Sequence, residues 1–306
     1  MGAFFIGRLA QTFVALLVIA TVVFVLIRVA GDPTDALLPL DAPLEDRERL
    51  RSQLGMDKPL YHQYYIFLSD IARGDFGVST RQRRPALKSV LEIFPNTLKL
   101  AGLSMVALLL IAVPTGIYSA LHRGSVSDWL FRFIALLGNS FPSFWLGVVL
   151  MLFFAVWLQW LPPGGTGTPL HYVLPVLTLS WYLAGGLMRL VRSSMLEVLG
   201  KDYIRTANAK GLSQPTVTWR HAFRNALLPI VTYAGVIFLR IIAGTVIVET
   251  VFAWPGIGRA VITSINWRDY PMVQTIVILL GAIFLFGNLL VDMAYYYIDP
   301  RLRHVK

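Results

Sequence analysis

The 306 residues contain no cysteine, which excludes disulfides, thiolate metal ligands and thiol chemistry. Histidine is sparse: the five, at 62, 122, 171, 221 and 304, include no pair spaced three or four apart, so no His-based metal motif is present. Charge is also scarce, at 14% of residues. Paired carboxylates, a His-rich cluster and a nucleophile beside its base are all missing, which argues against an embedded enzyme. The Gly-x-x-x-x-Gly-Lys-Ser/Thr phosphate loop is absent too, so this chain does not cradle ATP in that way.

Apolar residues are what the chain has in abundance. They make up 56% of it, and the mean hydropathy is +0.63, outside the range of a domain with a watered surface. The pattern predicts an all-α membrane protein. A spanning helix needs about 20 mostly apolar residues. Six segments meet that length, at 9–29, 100–120, 133–157, 170–188, 226–248 and 273–296. The third is the least regular, because Gly138-Asn139-Ser140-Phe141-Pro142 falls inside it. The first is too long for a signal-peptide core and lacks a small-x-small cleavage site before Gly31-Asp32-Pro33, so a retained span is expected.

Charge sets the orientation. With both termini cytoplasmic, the segments 1–8, 121–132, 189–225 and 297–306 hold 13 of the 27 Lys and Arg, while the outer loops 161–171 and 249–272 hold only Arg259 and Arg268. The net charge of +10 therefore belongs mainly to the inner face, where lipid headgroups and cytoplasmic partners account for it and nucleic acid does not. The long outer segment 31–97 reads as two helices, 41–54 closed by Gly55 and 61–72 with aromatic residues on one face, followed by a loop at 73–77. It is either a cap over the pore mouth or a contact for an extracytoplasmic delivery protein.

The most informative stretch lies between the fourth and fifth spans. Asp202 is the expected N-cap of a two-turn helix over 203–210, and Gly211 supplies the left-handed position after it. Tyr203 and Ala207 fall one turn apart on a face suited to burial in a groove, while Lys201, Arg205 and Lys210 keep the element at the aqueous surface. Pro215 suits the first turn of a further helix carrying Trp219, His221, Phe223 and Arg224 into the fifth span. A helix of two turns is not stable alone and must pack on something. Two ionisable residues sit inside spans, Arg240 and Asp292, and a charge there faces a cavity or a partner rather than lipid. Arg240 is read either as lining a path for a carboxylate-bearing solute or as pairing with Glu249, Asp292 or a second subunit. Proline and glycine recur within the spans and allow kinks and close helix approach.

Tyr203-Ile-Arg-Thr-Ala-Asn-Ala-Lys-Gly211 followed by Arg220-His-Ala-Phe-Arg-Asn-Ala-Leu-Leu-Pro229 resembles the coupling-loop signature of bacterial ABC importer permeases, in the dipeptide, oligopeptide, glutathione and nickel variant. Gly31-Asp32-Pro33, 54–60, Gly74-Asp75-Phe76-Gly77, 248–259 and 268–271 agree with it, so the resemblance covers nearly the whole chain. Arg205, Thr206 and Ala207 stand where the generic consensus has Glu-Ala-Ala, a departure that the peptide-type subfamily shares.

The resemblance implies a multi-pass inner-membrane subunit that pairs with a paralogous permease. Two ATPase subunits bind ATP and Mg and grip the coupling loops, a binding protein delivers solute from outside, and this chain holds no cofactor or metal. It assigns the ATPase contact to Tyr203, Arg205, Thr206, Ala207, Ala209, Lys210, Gly211, His221, Arg224 and Asn225. Asn139, Arg240 and Glu249 are the candidates for the translocation path. The expected organisation is a first span at 1–30, an extracytoplasmic insertion at 31–97, a permease core at 98–297 with its coupling loop at 197–225, and a cytoplasmic tail at 298–306. Peptides and a nickel chelate remain alternative solutes. A self-contained secondary transporter or channel is the rival class, though it calls for internal repeats and several midplane polar residues that the sequence does not show.

Overall fold

The computed structural model describes residues 2–30, 43–53 and 57–298. Among them the chain is all-helical, with one isolated antiparallel bridge between Val78 and Pro85. Its helices are α1 (Gly2–Ala30), α2 (Leu44–Gln53), α3 (Leu60–Ala72), α4 (Ala86–Leu121), α5 (Val126–Ser140), α6 (Ser143–Met151), α7 (Leu170–Leu199), α8 (Asp202–Ala209), α9 (Arg224–Val251), α10 (Ile257–Asn266) and α11 (Tyr270–Ile298). Two π-helical turns, Leu152–Trp157 and Val217–Phe223, follow α6 and precede α9.

Five helical stretches are long and apolar enough to cross a membrane: Ile6–Val29, Ala86–Leu121, Leu170–Leu199, Gln214–Val251 and Tyr270–Met293. A sixth candidate, Val126–Gly138 with Ser143–Trp157, is bent by 103°. The irregularity expected within the span 133–157 is thus a bend between two helices, the first of which begins earlier, at Val126. Pro142 lacks an N–H and disfavours the α region for the residue before it, and Phe141 is accordingly extended at φ −108° and ψ 143°.

Two compact units divide the chain, Met1–Asn96 with Gly256–Leu290 and Thr97–Pro255 with Val291–Lys306. In the first, Phe24 of α1 meets Tyr64 edge-on at 5.2 Å and Phe67 at 5.3 Å. The Arg28 Nε donates to Oε1 of the buried Gln63 at 2.9 Å. Ala20, Val23, Ile27 and Ile278 form the buried cluster between α1 and α11. Aromatic residues of α3 are split between two faces, since Tyr61 and Tyr65 are exposed while Phe67 packs against that cluster. Near the start of α11 the Ser79 hydroxyl donates to the buried Asp269 at 2.5 Å. The expected ends of the first outer helix, Asp41 and Leu54-Gly55, lie outside the described residues, as does Gly31-Asp32-Pro33.

In the second unit α7 is central and packs on α5, α6 and α9. Gly185 makes the crossing with α5 possible, because a Cβ there would run into the Ala135 backbone carbonyl. A Cβ at Gly138 of α5 would likewise run into Trp181 of α7. Buried Leu174, Leu187, Val191 and Met195 form the inner stripe of α7.

Candidate functional site

α8 is set off from α7 by two residues. Gly200 ends α7 and Lys201 is extended at ψ 151°, which makes Lys201 the N-cap and moves Asp202 one place inward, into the first helical turn. The expected capping role of Asp202 is thus replaced by the favourable placing of a carboxylate at a helix N-terminus. At the other end Gly211 has φ 72°, the left-handed backbone that the sequence requires of it. Its N–H donates to the Asn208 carbonyl at 2.9 Å.

α8 packs on the π-helical turn Val217–Phe223, which offers the buried residues Val217, Thr218 and Ala222. Ile204 (2% exposed) and Ala207 (6%) point inward. Ala207 was expected to share a partner-facing surface with Tyr203, but it serves the inner contact instead. Thr206 and Ala209, three apart and both exposed, take the opposite face of the helix. Tyr203, Arg205, Lys210 and Gly211 are also exposed. Arg224 and Asn225 stand exposed at the start of α9, and the Asn225 Nδ2 donates to the half-buried His221 carbonyl at 2.6 Å.

The surface is basic. Segment 197–225 carries five Lys and Arg against the two carboxylates Glu197 and Asp202. Lys201 lies 3.5 Å from Glu197, and Arg205 lies 3.5 Å from Asp202. Such exposed pairs add little stability, so the arginines and lysines stay available to an outside contact. Sequence reading missed Ile204, whose spacing from Ala207 marks the inner face, and the exposed apolar Leu212; Trp219, which it did name, is exposed as well. The Trp219 ring meets Phe223 edge-on at 5.4 Å.

The three path candidates are not brought together as a set. Glu249 is fully buried and accepts the Thr97 hydroxyl hydrogen bond at 2.7 Å. Arg240 is exposed on the same helix and makes no ion pair among the described residues. Nine residues apart at 100° each, the two point to opposite faces of α9, so Glu249 is not the partner of Arg240. The side chain of Asn139 lies outside the described residues. Among the described residues no group of three or more His, Cys, Asp or Glu is arranged to hold a metal ion.

Apolar helices of membrane-crossing length, with a short helix in a basic segment between two of them, define a multi-pass membrane protein. Residues 112–304 match the family of binding-protein-dependent transport system inner membrane components, and residues 1–101 match the N-terminal region of such membrane components. The chain belongs to this family of inner-membrane permeases.

The glutathione transport system permease protein GsiC of Escherichia coli (strain K12) is 39% identical over 300 residues, covering 98% of each chain. The protein of the same description from Pectobacterium atrosepticum is 40% identical over 302 residues, 98% of this chain and 99% of that one. Among solved structures, an amino acid ABC transporter crystallised with histidines aligns with a TM-score of 0.50 at 17% identity. It covers 68% of this chain and 93% of the other, a likeness of fold alone.

Proposed function

We propose that this chain is one of two paralogous permease subunits of an ABC importer that carries short peptides, glutathione or a closely related solute across the inner membrane. The observation that carries the reading is α8 itself: a two-turn helix with one exposed face, set in the basic segment 197–225 and seated on a π-helical turn between two membrane-length helices. Family membership and the similarity to glutathione permeases support it.

In this reading the termini and segment 197–225 are cytoplasmic, and segment 31–97 is extracytoplasmic, where the binding protein delivers solute. Separate ATPase subunits hold ATP and Mg and receive α8 with the neighbouring Arg224 and Asn225. Their closure displaces α8, and α7 and α9, joined to it at either end, carry the displacement into the membrane. The exposed guanidinium of Arg240 meets the carboxylate of the passing solute. Pumping requires that the path favour solute differently in its two states.

The test is purification of the tagged chain from cells that express its partner subunits, followed by reconstitution. ATPase subunits and a second permease are expected to copurify, and uptake is expected only with ATP and the binding protein. Accumulation of solute by the isolated chain in vesicles, without nucleotide or companions, would refute the reading.

A further inference from the structure

A buried carboxylate outside the proposed ATPase contact holds three helices of the second unit together. Asp128, in the first turn of α5, is fully buried. Arg192 of α7 grips it with both arms of its fork, Nε to Oδ1 and Nη2 to Oδ2, each at 2.9 Å. Ser119, near the end of α4, donates its hydroxyl to the same Oδ1 and accepts from the Arg192 Nε at 3.0 Å. The Gly124 N–H donates to Oδ2 at 3.0 Å, and Arg132 lies 3.3 Å from Oδ1. Planar two-point contact to a carboxylate fixes orientation as well as distance, which a lysine does not reproduce.

The position of this cluster gives it meaning. α8 is continuous in the chain with α7 on one side and with α9, through the π-helical turn, on the other. The hairpin of α4 and α5 has no such connection and must be moved through side chains. Ile111, Phe131, Ile134, Leu177, Trp181 and Met188 line an open apolar groove of about 190 Å³ beside its contact with α7. Arg192 lies only ten residues before the start of α8, while α5 leads directly into the break at Phe141-Pro142.

We propose that Asp128, Arg192 and Ser119 form a clamp that makes the α4–α5 hairpin follow α7 when α8 is displaced, so that the stroke reaches the break before α6. The clamp is a positioning device and rests on the reading of α8 as the ATPase contact. Breaking it uncouples ATP hydrolysis from transport while α8 remains docked.

Arg192→Lys and Asp128→Asn test this in the reconstituted complex with its ATPase and binding-protein partners. ATPase subunits should copurify and hydrolysis should stay near the parental rate, while solute taken up per ATP falls about tenfold, within the usual range of coupling between sites. Unchanged uptake per ATP in assembled variants overturns the proposal. So does a parallel fall in hydrolysis and uptake, which marks a merely structural pair.

A second measurement does not depend on how the variants fold. Because the chain lacks cysteine, nitroxide labels at Trp129→Cys on α5 and Glu197→Cys on α7 report the distance between the two helices. That distance should be the same in nucleotide-free and ATP-bound parental complexes, and a nucleotide-dependent shift sinks the clamp. If no ATPase accompanies the parental chain at all, the reading of α8 fails first and the clamp falls with it.

Discussion

Thr97 and Glu249, 152 positions apart, join α4 to α9 by a buried hydrogen bond of 2.7 Å from hydroxyl to carboxylate. The bond sits on the face of α9 opposite Arg240. Thr97→Val keeps the side-chain shape and deletes the donor. Leaving a buried acceptor without this donor costs about 1–3 kcal/mol, so thermal unfolding in detergent should show a loss of that size. A melting curve unchanged from the parent would show that the bond does not hold the two helices.

The two faces of α8 predict opposite phenotypes for the same substitution. Ala207→Glu drives a carboxylate into the contact with Val217–Phe223 and should destabilise the element by several kcal/mol. Ala209→Glu, on the exposed face, should leave the melting curve of the purified chain unchanged and release the ATPase subunits during copurification. If Ala209→Glu retained a full complement of ATPase and full uptake, the docking face would have to be elsewhere.

Gly185 is predicted to tolerate no side chain. Its would-be Cβ collides with the backbone carbonyl of Ala135, which cannot rotate away as a side chain does. Overpacking of this kind costs about 1–3 kcal/mol or more. Gly185→Val should therefore lower the amount of folded chain recovered in detergent far more than Gly102→Val, where a Cβ meets nothing within 4 Å.

Arg240 tests the path. With expression matched, Arg240→Leu should cut uptake of a carboxylate-bearing solute about ten- to hundredfold, the loss that corresponds to one charge-assisted hydrogen bond. Arg240→Lys should retain part of the uptake. ATP hydrolysis by the complex should survive both changes, and full uptake by Arg240→Leu would remove the residue from the path.

Much of the fold is visible in hydropathy because apolar length is the physical requirement for crossing a bilayer. Its limits are equally physical. α4 begins at Ala86 rather than near Leu100, since Lys88, Glu92, Asn96 and Lys99 lower the apolar signal without disturbing helical backbone. α10 escaped notice because a ten-residue amphipathic helix has none of the length on which span detection relies. Pro142 did mark the irregular third span, yet the size of the bend depends on packing that no local rule contains.

At the candidate site, Gly211 and Pro215 punctuated the chain as their backbone preferences dictate. The inward turn of Ala207 was hidden because alanine fits either face of a helix, and only the neighbouring Ile204 decides which one is buried.

The π-helical turn Val217–Phe223 makes the chain unequally tolerant of changes in length. Such a turn accommodates one residue beyond what an α-helix needs, so a single deletion there can close into ordinary helix with both flanks keeping their faces. The same deletion within the regular stretch around Ile241 and Ile242 would swing every side chain beyond it by about 100°. Homologues one residue shorter are therefore expected to carry their gap beneath α8, not in the middle of α9.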